Sequence, residues 1–104
     1  MSIVIRTRGA RDILKPTDYF RDARAATAIR FTERLAKSLR MLEHSPDAGA
    51  DMELMYEGIE LRSLTIPRFS NYFILYGIIP DGIVVARVLD GRRDWATPLE
   101  DGIE

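Results

Sequence analysis

The sequence predicts an α+β domain with the element order β-α-α-β-β-β, in which a two-helix hairpin packs on an antiparallel sheet. Three observations carry this expectation. Apolar residues recur at helical spacing between Ala23 and Glu43. Three runs of strand length follow between Ile59 and Leu89. The stretches that separate those runs, PRFSN and PDG, are short turn formers, so consecutive strands should lie side by side as an antiparallel meander.

The first element is a strand over residues 2–7, where Ile3, Val4 and Ile5 are β-branched and Gly9 ends the run. Asp12 is placed to cap a helix reaching about Asp22, and Pro16 either delays its start or bends it. The long helix is the clearest element. Ala28, Phe31, Leu35, Leu39 and Leu42 recur at steps of three and four and share one face. Arg30, Arg34, Lys37 and Arg40 fall largely on the others. Ser45-Pro46 and Gly49 close it.

Residues 46–58 are polar and acidic and read as an irregular connection. Ile59 to Ile66 reads as a strand, PRFSN as a turn, and YFILYGII (72–79) as a strand of continuous apolar and aromatic type. In that strand Tyr72, Ile74, Tyr76 and Ile78 share one face, and Phe73, Leu75, Gly77 and Ile79 the other. One of the two sets should meet the helices. PDG (80–82) is a hairpin signal, IVVARVL (83–89) is the return strand, and Gly91 ends it. The residues from Asp94 onward read as a polar tail.

Composition limits the function classes. With 104 residues the chain suits a single domain over 1–104. It has no cysteine, so a disulfide framework and a thiolate zinc site are excluded. No apolar run reaches the length of a membrane span, and Arg6 and Arg8 interrupt any signal-like h-region in MSIVIRTRGARD. The expected setting is soluble and cytoplasmic. Gly-rich phosphate loops, His/carboxylate metal clusters and Ser-His-Asp candidates are missing, so neither a cofactor nor a metal is expected. Charge is uneven. Residues 1–40 carry ten Lys/Arg against four Asp/Glu, whereas 41–61 carry six acids and no Lys or Arg. Such asymmetry can steer charged partners.

Arg87 interrupts an apolar strand and Arg62 does the same in IELRSLTI. A buried unpaired charge is costly, so each needs solvent, a carboxylate or a ligand. On an open sheet face, with Tyr72 or Tyr76 between them, the two would form a shallow cationic and aromatic groove. Guanidinium forks suit carboxylates and phosphates there. Arg92, Arg93 and Trp95 extend the same region, and the candidate binding residues are Arg62, Tyr72, Tyr76, Arg87, Arg92, Arg93 and Trp95.

The quoted strands, with Ala10, Arg11, Asp12 and Leu14, the Ala28–Gly49 pattern, Leu61-Arg62-Ser63, NYFILY (71–76) and DGIVVARVLDGRRDW (81–95), resemble the ParE toxins of the RelE/ParE superfamily of type II toxin–antitoxin systems. The resemblance covers nearly the whole chain. Many relatives carry histidine where this chain has Asp90, so any role of that histidine is absent here. The resemblance implies a toxin that inhibits DNA gyrase by binding and is neutralised by a cognate antitoxin, with DNA reached only through the antitoxin complex. It also implies a homo-oligomer or an assembly with that antitoxin, and no membrane partner. A RelE-like ribosome-dependent mRNA endoribonuclease and a degenerate, non-toxic partner or co-repressor are the alternatives. The nuclease needs a general base, a proton donor and phosphate-binding cations. The segment ahead of Arg62 is acidic and the tail beyond Trp95 has no His, Tyr, Lys or Arg. The single histidine, His44, closes a helix, so the expectation leans away from an enzyme.

Adjacent residues of an extended segment point to opposite sides, so Arg92 and Arg93 cannot both serve one groove unless Gly91 twists the chain. Arg93 occupies the arginine of the family's R-D pair and is expected to face the functional surface, with Arg92 the more solvated. Replacing Arg93 with Ala should then weaken toxicity or antitoxin affinity by about 1.5–3 kcal/mol, more than replacing Arg92. Growth assays and binding titrations on both variants, with circular dichroism as a folding check, measure this. Wild-type behaviour of both folded variants would contradict it.

Overall fold

The computed structural model describes residues 2–6, 8–13 and 25–92. Its α+β architecture is the expected one, with one strand more than the sequence predicts. Strand β1 (Ser2–Ile5) leads into a helix, α1, described over 8–13. The long helix α2 (Ala25–His44) is followed by a single 3₁₀ turn (Pro46–Ala48). Four strands follow among the described residues: β2 (Ala50–Tyr56), β3 (Ile59–Ile66), β4 (Phe69–Ile79) and β5 (Gly82–Asp90). The sheet order is β1-β5-β4-β3-β2.

The sheet is mixed, not purely antiparallel. β2 to β5 form the antiparallel meander, and β1 returns to pair in parallel with β5, Ile3 beside Ile83 and Ile5 beside Val85. The crossover from β1 to β5 contains the helices, the kind of connection a parallel pair requires. Among the described residues no helix is long and apolar enough to cross a membrane.

The additional strand, β2, occupies the acidic segment read as an irregular connection. Asp and Glu are poor strand formers, and the pairing is interrupted between Asp51 and Leu54, where Glu53 has a positive φ of 56°. The β2–β3 turn is Glu57-Gly58, with φ of 51° and 80°, the left-handed pair that a tight hairpin uses. Similarly, only Pro67-Arg68 of PRFSN forms a turn. Arg68 takes φ 71° after the proline, as the third residue of a type II turn does, and Phe69 already lies in β4. Asp12 does not cap α1. It lies inside that helix and is buried.

Two apolar layers form, one on each face of the sheet. Phe31, Leu35 and Leu42 of α2 pack on Ile66, Ile74, Tyr76, Ile83, Val85 and Val88. Of the set Tyr72, Ile74, Tyr76 and Ile78, the first three meet the helix and Ile78 is exposed. On the other face Leu61, Leu75, Ala86 and Leu89 cluster with Met52 and Phe73. β5 is buried from Gly82 to Leu89 as a result. Gly77 is a requirement of this second layer. A Cβ there would be driven into Ile59 Cγ2, so only glycine lets the start of β3 close over β4. The Arg6–Glu57 ion pair, at 3.6 Å, joins the end of β1 to the β2–β3 turn.

Tyr76 fixes the link between the helix and the sheet. Its side chain is fully buried beneath the 3₁₀ turn. The phenol donates to Pro46 O at 2.6 Å and accepts from Gly49 N–H at 2.9 Å. Gly49 is matched to it, since a Cβ would approach the phenol oxygen to 2.5 Å. Burial pushes the Tyr76 pKa up, only partly offset by the Gly49 bond and by Arg62.

Tyr76→Phe should keep the fold and lose about 1–3 kcal/mol of stability, because the buried Gly49 N–H and the partly buried Pro46 O lose their partner. A tyrosine pKa higher in the folded state gives stability that is complete below the unfolded value of 10.0 and lost as pH rises above it. Between pH 9 and 11, roughly, urea midpoints of the wild type should fall more steeply than those of Tyr76→Phe. Parallel curves would show that the phenol is not held in its neutral form.

Candidate functional site

β5 carries the residue that raised the sharpest question. Arg87 is 7 % exposed and Asp12 5 % exposed, and they form an ion pair across 75 positions of sequence. Asp12 Oδ1 accepts from Arg87 Nη2 at 3.0 Å, and Oδ2 accepts from Arg87 Nε. The same Oδ2 accepts from the Val88 backbone N–H at 3.1 Å. The geometry explains why a helix residue reaches a strand. β1 ends beside Val85, and Arg6 N–H still bonds to Val85 O at 2.9 Å. α1 then runs along β5, with Gly9 so close that a Cβ would lie 3.0 Å from Ala86 O. Asp12 arrives at the backbone edge that the short β1 leaves uncovered.

Arg87 is thus not on an open face. Simple alternation would set Arg87 beside Val85 and Leu89, but it fails at a bulge. Tyr76 pairs with Val85 but Leu75 with Arg87, so Ala86 is an extra residue, and Val85 and Leu89 end in different layers. Two of the guanidinium nitrogens serve Asp12, and the third, Nη1, is buried without a hydrogen-bond partner. Arg87 cannot meet a phosphate without opening this pair.

Tyr76 is likewise withdrawn, for the reason given above. Arg62 lies opposite Tyr76 on the helix-facing side, half-buried at the margin of the layer, with Nη1 directed to Gly49 O at 3.5 Å. Tyr72 lies four residues back along β4, roughly 13 Å from Tyr76 at the rise of a strand. The predicted groove running from Arg62 to Arg87 therefore does not form. Burial of Arg87 and Tyr76 removes its floor, and the remaining cations sit at opposite ends of the sheet.

The surviving constellation lies where β4 begins and β5 ends. Tyr72 pairs with Asp90 across the strands and meets Phe31 of α2 edge-on at 5.3 Å. Phe31 also meets Phe69 edge-on at 5.1 Å. Asp90 turns the chain at Gly91. Its Oδ1 accepts the Arg92 N–H at 2.9 Å and Arg92 Nε at 3.0 Å, and its Oδ2 accepts Nη2 at 2.9 Å. Those bonds raise the Arg92 pKa further, and the guanidinium carbon stands 6.0 Å from the Tyr72 ring centroid. Arg92 is exposed, its side chain at 60 %, but it is not simply solvated, because Asp90 and Tyr72 set its direction. Arg93 and Trp95 lie outside the described residues.

Sequence reasoning missed two partners. Asp12 was legible as a buried acid only through Arg87, whose charge demanded one. Asp90 could have been found from its spacing, since Asp-Gly-Arg places a carboxylate two residues ahead of an N–H, the pattern of an Asx turn. His44 Nδ1 lies 3.0 Å from Arg40 O at the exposed end of α2, far in sequence from these residues. Among the described residues no group of His, Asp and Glu is arranged to hold a metal ion.

Two comparisons place this geometry among known proteins. The chain superposes on the solved structure of the chromosomal ParDE TA system from P. aeruginosa with a TM-score of 0.67, over 85 % of this chain and 92 % of that chain. At 18 % identity this similarity is one of fold. No curated protein matches the chain at a significant level. The family model for the ParE toxin of the type II toxin–antitoxin system, parDE, matches residues 3–95, a span that includes Asp12, Arg62, Tyr72, Arg87 and Arg92. The chain belongs to the ParE toxin family of type II toxin–antitoxin systems.

Proposed function

We propose that this protein arrests growth by binding DNA gyrase in the cytoplasm and is neutralised by a cognate antitoxin. The observation that carries the reading is the engagement of Arg87 and Tyr76 inside the fold. These are the strand residues best suited by type to grip a phosphate and to move a proton, and both are committed to internal hydrogen bonds. What the sheet leaves at the surface is a cation, Arg92, oriented by Asp90 and Tyr72. Such a group binds and orients but supplies neither a general base nor an acid, because a guanidinium stays protonated. Membership of the ParE toxin family supports the same direction. The candidate contact residues are Arg62, Tyr72, Arg92, Arg93 and Trp95. Contact with DNA is assigned to the antitoxin complex and not to the toxin alone.

Induced expression without the antitoxin should stop growth, give filamentous cells and induce a DNA-damage response. The purified protein should inhibit supercoiling by gyrase, and co-expressed antitoxin should relieve both effects. Cleavage of messenger RNA at ribosomal A-site positions within minutes, with DNA intact, would replace this reading by the nuclease. Normal growth with abundant folded protein would replace it by a non-toxic partner.

A further inference from the structure

We propose that the outer edge of β1 is a self-pairing surface, to which a second copy of this chain adds its own β1, antiparallel about a twofold axis at Val4. The sheet ends at β1 on one side and at β2 on the other, and among the described residues nothing pairs with either outer edge. An exposed edge is a template for further pairing unless charges or bulges blunt it. β2 is blunted in both ways. It carries Asp51 and Glu53, its pairing shifts between Asp51 and Leu54, and Glu53 takes a positive φ. β1 reads Ser-Ile-Val-Ile, with no charge and an unbroken register. Val4 is 47 % exposed and Ile5 40 %.

The inner pairing fixes what this edge offers. Arg6 N–H bonds to Val85 O, so Val4, two residues back, also turns its backbone toward β5. Ile3 and Ile5 therefore present their N–H and C=O groups outward. Antiparallel pairing about Val4 sets Ile3 of each copy opposite Ile5 of the other. Both are outward-facing, so each such pair exchanges both of its backbone hydrogen bonds. Val4 meets Val4 at the non-bonded position between them, where side chains approach most closely. The strand is thus complementary to itself in hydrogen-bond phase and in side-chain type, the requirement of a twofold interface.

Charge selects the orientation. Arg6 and Arg8 follow the end of β1, and Asp81 lies in the turn beside its start, where Ser2 pairs with Gly82. Antiparallel copies bring the cationic end of one strand to the acidic end of the other, whereas parallel copies would set cations beside cations. The ladder is short and buries less than a standard interface, so the dimer is weak, with a dissociation constant on the order of 100 μM.

This assembly needs neither gyrase nor an antitoxin, and its test is separate from theirs. Sedimentation velocity of the full chain from about 10 μM to about 1 mM should show a monomer passing into a dimer and no larger species. Val4→Lys, which puts a like charge on the axis, should weaken association at least about tenfold. Val4→Cys keeps the test open should that variant fail to fold. Across a non-bonded pair the two Cα atoms lie about 4.5 Å apart, within the range of a disulfide. The chain has no other cysteine, so oxidised glutathione should convert this variant to a covalent dimer. Met55→Cys, 65 % exposed on the opposite edge, is the control and should cross-link at least about tenfold more slowly. A chain that stays monomeric throughout, assemblies larger than a dimer, or equal cross-linking of the two cysteine variants would overturn the proposal. Growth arrest by a strictly monomeric chain would sink this inference alone. A dimer cross-linked through Val4→Cys, from a chain that neither arrests growth nor inhibits gyrase, would sink the functional reading alone.

Discussion

The bidentate pair between Asp12 and Arg87 is the interaction on which the arrangement of the whole chain depends. It joins α1 to β5 across 75 positions of sequence. Asp12 also covers the Val88 N–H that β1 is too short to reach. One carboxylate thus neutralises a buried cation and satisfies a buried backbone donor together. A pair of this kind is weak evidence for net stability, because both charges were taken from water. Its stronger effect is on specificity. With either partner missing, the other is a buried charge without compensation, so any packing that separates α1 from β5 is penalised heavily.

The same pair shapes the functional surface by subtraction. Arg87 would be the central cation of the sheet if it faced solvent. Held by Asp12, it becomes part of the core, and Tyr76 is withdrawn beneath the 3₁₀ turn in a similar way. The expected groove between Arg62 and Arg87 is left without its floor. The strand ends keep an exposed cation, where Asp90 and Tyr72 aim Arg92 and where the β3–β4 register is interrupted. Asp90 fixes the turn after β5 and neutralises Arg92.

Much of the fold was legible in the sequence, and the exceptions have physical causes. The stripe from Ala28 to Leu42 marked α2, and the alternation of Tyr72, Ile74 and Tyr76 marked the face that it covers. β2 was hidden because its acidic residues disguise a strand whose partner is already specified by β3. The parallel return of β1 was hidden because pairing direction depends on where the helices cross, which no local pattern encodes. Arg87 was identified as an anomaly that needed a carboxylate, a ligand or solvent. Asp12 of α1 supplied the carboxylate, from a position 75 residues away that no local pattern connects to β5. The Arg62–Arg87 groove failed for that reason, while Arg92 and Tyr72 remain together because they depend only on the register of β4 and β5.

The central claim is tested most directly by a double-mutant cycle on Asp12 and Arg87, read as stability in urea. Asp12→Leu and Arg87→Met each leave one buried charge, and each should cost about 3–5 kcal/mol or prevent folding outright. The double variant replaces the pair with apolar groups of similar size and should recover most of that loss. Its Asp12 bond to Val88 is not restored, so a deficit of about 1 kcal/mol should remain. Single variants within about 0.5 kcal/mol of the wild type, or a double variant whose loss equals the sum of the two, would contradict the account.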